Sequence, residues 1–155
     1  MDKYAILLGY FDKQRAIVQR MHHEVVNLDL STWENGYVFA LKTQQLFTAL
    51  EDLMKQIAKA FENHIEDLGS FHREILLRMN TEVPTIRPAV LSNESFVLLD
   101  KLRAFRHFIR HGYGCELDEK QLRALQEQMR LRFSLLETDL STFRNYIHKL
   151  ASDLD

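Results

Sequence analysis

The residues with the most chemistry in the chain lie in one stretch near its middle, Arg103-Ala-Phe-Arg-His-Phe-Ile-Arg-His-Gly-Tyr-Gly114. Three arginines, two histidines and a tyrosine fall within twelve residues, which then stop on two glycines. At about 100° per residue the segment divides in two. Leu98, Leu102, Phe105 and Ile109 share a narrow apolar stripe, and Arg103, Arg106, His107, Arg110, His111 and Tyr113 form a broad arc beside it. Histidine transfers protons near neutral pH, and arginine is a permanent, fork-shaped cation for phosphate. Tyrosine donates a hydrogen bond or stacks on a base. Together they suit acid–base cleavage of an RNA phosphodiester, in which the 2′-hydroxyl is the nucleophile and no metal is needed. Spacing alone leaves three readings open beside an ordinary solvated helix face: a ribonuclease site, a phosphate-binding face and a protein-binding face.

Other chemistries fit less well. His107 and His111 are four residues apart, but Phe108 follows His107 where the helical zinc signature needs glutamate, and three arginines would repel a cation. No Glu-x-x-His pair of the di-iron kind occurs, so no metal is expected. Cys115 is the single cysteine, beyond the two glycines from His111; it excludes an internal disulfide and suits a reducing cytoplasm. The adjacent His22 and His23 point about 100° apart and read as surface or interface residues.

The elements that must position the arc are helical. The 155 residues contain two prolines and five glycines, 46% hydrophobic and 27% charged residues, and a net charge of −2. That is ordinary for a single soluble domain, 1–155. A nucleic-acid partner would have to use a local basic patch rather than bulk charge. No basic-then-apolar leader and no long uncharged apolar run is seen, so no signal peptide and no membrane contact are expected.

Apolar residues at three- and four-residue steps predict a helix over about 2–28, from Tyr4 to Leu28. A second follows a Ser31-Thr-Trp-Glu34 capping box to about Asn63, with Val38, Leu41, Leu46, Leu50, Leu53, Ile57 and Phe61 inward. Glu51 and Asp52 in that helix read as a solvated face reached by Lys55, or else as a carboxylate that orients a histidine or arginine. A shorter helix spans about 70–79, and both prolines fall in an extended connection over 80–91 that packs across the bundle. The arginine-rich helix starts at Ser92 and runs to about Arg110 or His111, ended by Gly112 and Gly114. Asp118 caps a last helix to about Leu150. The fold class is therefore all-α, an up-and-down bundle of about five helices with no strand.

Arg106-His-Phe-Ile-Arg-His111-Gly-Tyr113 reads as Arg-x4-His-x-Tyr, which resembles the signature of the HEPN ribonucleases, and more narrowly the HepT-like toxins of HEPN–MNT toxin–antitoxin modules. His107 matches a position where that superfamily often carries Asn, Asp or His. The stretches His72-Arg-Glu-Ile-Leu-Leu-Arg-Met79, Ile86-Arg-Pro-Ala-Val-Leu-Ser92 and Phe105 to Asp118 are similar to the same branch. The resemblance implies a HEPN helical bundle acting as a homodimer, with Arg106 and His111 as the catalytic pair in a cleft built from both subunits. Arg103, His107, Arg110 and Tyr113 would support catalysis or hold RNA, with no cofactor. The reaction implied is metal-independent endonucleolytic cleavage of tRNA or mRNA, leaving a 2′,3′-cyclic phosphate. The implied partner is an MNT nucleotidyltransferase antitoxin, which in some members adenylylates the motif tyrosine, here Tyr113, and in others neutralises by complex formation alone. Relatives that lack an intact Arg/His pair serve instead as non-catalytic binding partners of nucleotidyltransferases; Arg106, His111 and Tyr113 are all present here.

Overall fold

The computed structural model describes residues 2–62, 72–112, 114 and 116–153. Over these the chain forms five helices, α1 (Lys3–Val26), α2 (Trp33–Glu62), α3 (His72–Met79), α4 (Asn93–His111) and α5 (Glu119–Ser152), and no strand beyond an isolated bridge. Each long helix buries one apolar face, and the five meet in one core that includes Phe11, Phe39, Phe47, Phe133 and Phe143.

Side-chain contacts give the directions of the helices. Tyr4 stacks near Phe61, Gln14 donates to the Ala49 carbonyl and Lys42 pairs with Glu24, so α1 and α2 run antiparallel. Asp12 accepts from Arg144, Arg15 donates to Ser141, and the Gln126 amide donates to the Val25 and Leu28 carbonyls, so α5 is antiparallel to α1 as well. The α2 and α5 starts approach closely at Gly36, where a Cβ would lie 3.2 Å from Leu122 Cδ1. The arginine-rich α4 lies against both α2 and α5, with Phe39 edge-on to Phe105 at 6.1 Å. The result is the all-α, up-and-down bundle that the periodicity predicts, of the HEPN type.

Several local expectations shift. The cap of α2 is Thr32, whose Oγ1 accepts from Asn35 N at 3.3 Å, so the Ser31–Glu34 box is out of register by one residue. Val38 and Leu41, read as core, are 37% and 57% exposed. His22 is half-buried: it stacks on Phe133 with centroids 3.7 Å apart and donates to the Met129 carbonyl. Burial holds its pKa below the ordinary 6.5. His23 is exposed, as expected. The first residues of the short helix expected over 70–79 lie outside the described residues. Asp118 and Ser92 cap α5 and α4 as read, accepting from Lys120 N and Ser95 N.

The connection between α3 and α4 packs against the end of α2 and against α5, where Tyr146 donates to the Ile86 carbonyl, and Arg87 pins it there. Its side chain is fully buried. The guanidinium donates to Glu62 twice and to the carbonyls of Arg78, Thr81 and Pro88. Five charge-assisted bonds satisfy the whole fork, a set that no lysine can reproduce. Removing one member of such a pair strands a buried charge, at a cost of about 3–5 kcal/mol. Arg87→Ala is therefore expected to lower the melting temperature by roughly 10 °C for a domain of this size, with Arg87→Lys recovering only part, as measured by thermal denaturation followed by circular dichroism.

Candidate active site

The site begins with a carboxylate in the wrong place for a solvated face. Glu51 lies on the inward stripe of α2, one turn from Phe47, and is 2% exposed. A buried carboxylate must be compensated. Lys55, one turn on, reaches Oε1 at 3.4 Å as the i,i+4 spacing suggests. Oε2 lies 2.5 Å from Nδ1 of His72, the first residue of α3. The other ring nitrogen of His72, Nε2, lies 3.4 Å from Arg106 Nη1 on α4. Three helices thus converge in one chain of contacts, Glu51–His72–Arg106. The bland reading of Glu51 is overturned by its burial; the sharper one describes its geometry.

Arg106 is half-buried, and its guanidinium also lies over the Phe47 ring at 5.8 Å, a cation–π distance. It opens on a cavity of about 560 Å³ between α1, α2 and α4, lined also by Arg110, Asp52, Gln14, Gln44, Gln45 and Thr48. Asp52 is exposed on that wall, and its charge, after burial, helps push the Tyr10 phenol above its ordinary value.

The six-residue arc therefore divides. Arg106 and Arg110 share the cavity. His107 and His111 are exposed and sit ring to ring, with centroids 4.5 Å apart and planes at 46°. Arg103 is turned to Asp100, at 2.7 Å, which also takes Arg73 at 3.6 Å. Tyr113 and Cys115 lie outside the described residues. Five positions along a helix leave Arg106 and His111 about 140° apart, and no hydrogen bond joins them among the described residues. Gly112 ends the helix: its N–H returns to the Phe108 carbonyl at 2.7 Å, and a Cβ there would lie 2.6 Å from the same oxygen. Among the described residues no group of three or more His, Cys, Asp or Glu converges as a metal-ligand set.

His72 is the residue that spacing missed. It lies 34 positions before Arg106 on a different helix, so no local pattern links them. The available signal was Glu51 itself, a charge set into an apolar stripe between Phe47 and Met54, which implies a partner from elsewhere in the chain.

Chemically, the arrangement offers an arginine whose charge no carboxylate contacts directly among the described residues, a second arginine beside it, and a pair of exposed imidazoles on the next face of the same helix. None of the described helices is long and apolar enough to cross a membrane. No curated protein and no solved structure matches the chain significantly. A family model described as HepT-like protein matches residues 38–147, a span that holds Glu51, His72, Arg106, His111 and Tyr113. With more than half of its length matched, the chain belongs to the HepT-like family of HEPN proteins, in general ribonuclease-like components of toxin–antitoxin systems.

Proposed function

We propose that this chain, as one HEPN domain over 1–155, is the toxin of its pair: a metal-independent endoribonuclease acting on tRNA or mRNA through Arg106 and His111. The observation that carries the reading is the state of Arg106. It is held by a histidine and a ring face and opens on a cavity shared with Arg110, in the same turns of α4 as His107 and His111. Arg87, Arg103 and Arg144, by contrast, are each matched to a carboxylate.

In the proposed reaction a histidine takes the proton of the RNA 2′-hydroxyl, and the oxygen attacks phosphorus. Arg106 stabilises the charge that builds on the phosphoryl oxygens. The 5′-oxygen leaves with a proton from a second histidine, and a 2′,3′-cyclic phosphate remains. Two acid–base groups are needed, and a homodimer supplies them as two copies of His111 in a shared cleft, with Arg110, His107 and Tyr113 holding RNA. An exposed apolar strip supports that dimer. Trp33, Tyr37 and Leu41 recur every four residues on α2, at 73%, 56% and 57% exposure, and Leu41 lines the arginine cavity itself. A second copy seated there would cover the strip and bring two basic faces into one groove.

Cleavage of total tRNA and a long mRNA in EDTA tests this reading. The wild-type chain is expected to cut, and Arg106→Ala and His111→Ala are each expected to lose roughly 100-fold or more in rate. If the wild type leaves RNA intact, the chain is instead a non-catalytic partner of a nucleotidyltransferase.

The proposed antitoxin is a minimal nucleotidyltransferase that transfers AMP from ATP to the Tyr113 hydroxyl, releasing pyrophosphate. Phosphate added within the cleft would occupy the arginines that RNA needs. Incubation with that partner and ATP is expected to add AMP to the wild type and nothing to Tyr113→Phe by intact-mass measurement. An equal adduct on both would contradict the assignment of Tyr113.

A further inference from the structure

The contacts behind Arg106 dictate where the protons of His72 lie. A guanidinium can only donate, and an ionised carboxylate can only accept. His72 stands between one of each, with Nδ1 2.5 Å from Glu51 Oε2 and Nε2 3.4 Å from Arg106 Nη1. Both contacts are satisfied together by one form of the ring alone: neutral, with hydrogen on Nδ1 and a lone pair on Nε2. The Nε2–H tautomer would set two donors against each other at Arg106, and so would the imidazolium.

We propose that His72 is a positioning residue for Arg106: anchored on the buried Glu51 carboxylate through Nδ1–H, it offers the guanidinium a neutral acceptor, so that Arg106 is aimed while its charge stays available to a phosphate. This rests on the reading of Arg106 as the residue that stabilises charge at phosphorus.

A direct carboxylate partner would aim the arginine equally well but would compensate its charge. The molecule does that elsewhere, with Glu62 on Arg87, Asp100 on Arg103 and Asp12 on Arg144. At Arg106 the carboxylate is set back by the width of an imidazole. Lys55 takes the other oxygen of Glu51, which keeps the carboxylate turned toward the ring. Phe47 closes the second side of the guanidinium without using any of its N–H groups. Arg106 also lines the cavity that it shares with Arg110. Orientation by a ring whose tautomer is fixed from behind is the arrangement that tunes metal-bound histidines, applied here to an arginine.

Single-turnover cleavage in EDTA separates this from the underlying reading, with wild type, His72→Ala and His72→Gln compared at matched melting temperature. The glutamine carbonyl reproduces the neutral acceptor at the place of Nε2. His72→Ala is expected to lose about 10–100-fold in rate, as outer-shell substitutions do, chiefly in kcat rather than KM. His72→Gln is expected to recover most of that loss. Nitrogen-15 spectra of the wild-type ring at neutral pH are expected to show a protonated Nδ1 and a bare Nε2, and Glu51→Gln is expected to shift the ring toward the Nε2–H form. If the wild type cuts RNA and His72→Ala cuts equally fast, or if alanine and glutamine are equally slow, the inference falls while the ribonuclease reading stands. An Nε2–H ring in the wild type would overturn it as well. A wild type that does not cut removes the reading beneath it.

Discussion

The arrangement of the candidate site depends on one buried negative charge. Glu51 stands where the periodicity of α2 calls for an apolar side chain, among Phe47, Met54 and Ala58. A carboxylate left uncompensated there would cost several kcal/mol. Lysine from the same helix reaches one oxygen, and the other requires a donor from a different element, which His72 provides. That requirement ties the start of α3 to the middle of α2 and, through the imidazole, to α4. Stability and aim come from the same contacts, since the group that satisfies Glu51 also holds Arg106.

The bundle makes this convergence possible through its antiparallel registers. The pairs Tyr4–Phe61, Gln14–Ala49 and Glu24–Lys42 fix α1 along α2, while Asp12–Arg144 and Arg15–Ser141 fix α5 along α1. Arg87 and Glu62 hold the segment that delivers the chain from α3 into α4, and Ser92, bonded to Asp139 of α5, starts α4 against its neighbour. With the start of α4 placed in this way, Arg106 meets Phe47 of α2 and His72 of α3. His107 and His111 face outward.

Much of this was legible in the chain. Three- and four-residue apolar steps marked all five helices, and the scarcity of glycine and proline argued the same way. Ser92, Asp118 and Gly112 marked ends because capping is local chemistry that a few adjacent residues decide. The arginine and histidine cluster was visible for the same reason. What stayed hidden was tertiary. Val38 and Leu41 fit a helical stripe yet face outward, because periodicity gives a face but not its neighbours. The arc on α4 looked uniform in projection, but Asp100 draws Arg103 aside and, among the described residues of the arc, the cavity takes only Arg106 and Arg110. His72 shares no helix with the residues it touches, and a contact between positions 34 apart leaves no spacing to read.

Arg106, on this reading, is an aimed cation kept free for phosphate. The most direct test is a crystal structure of the protein bound to a short RNA made uncleavable by a single 2′-deoxy substitution, with EDTA in the buffer. The phosphate after that nucleotide is expected on the Arg106 guanidinium, with His72 and Glu51 still in line behind it and His111, from one copy or both, within reach of the 2′ and 5′ positions. RNA bound on another face, or Arg106 turned onto a carboxylate in the complex, would contradict it.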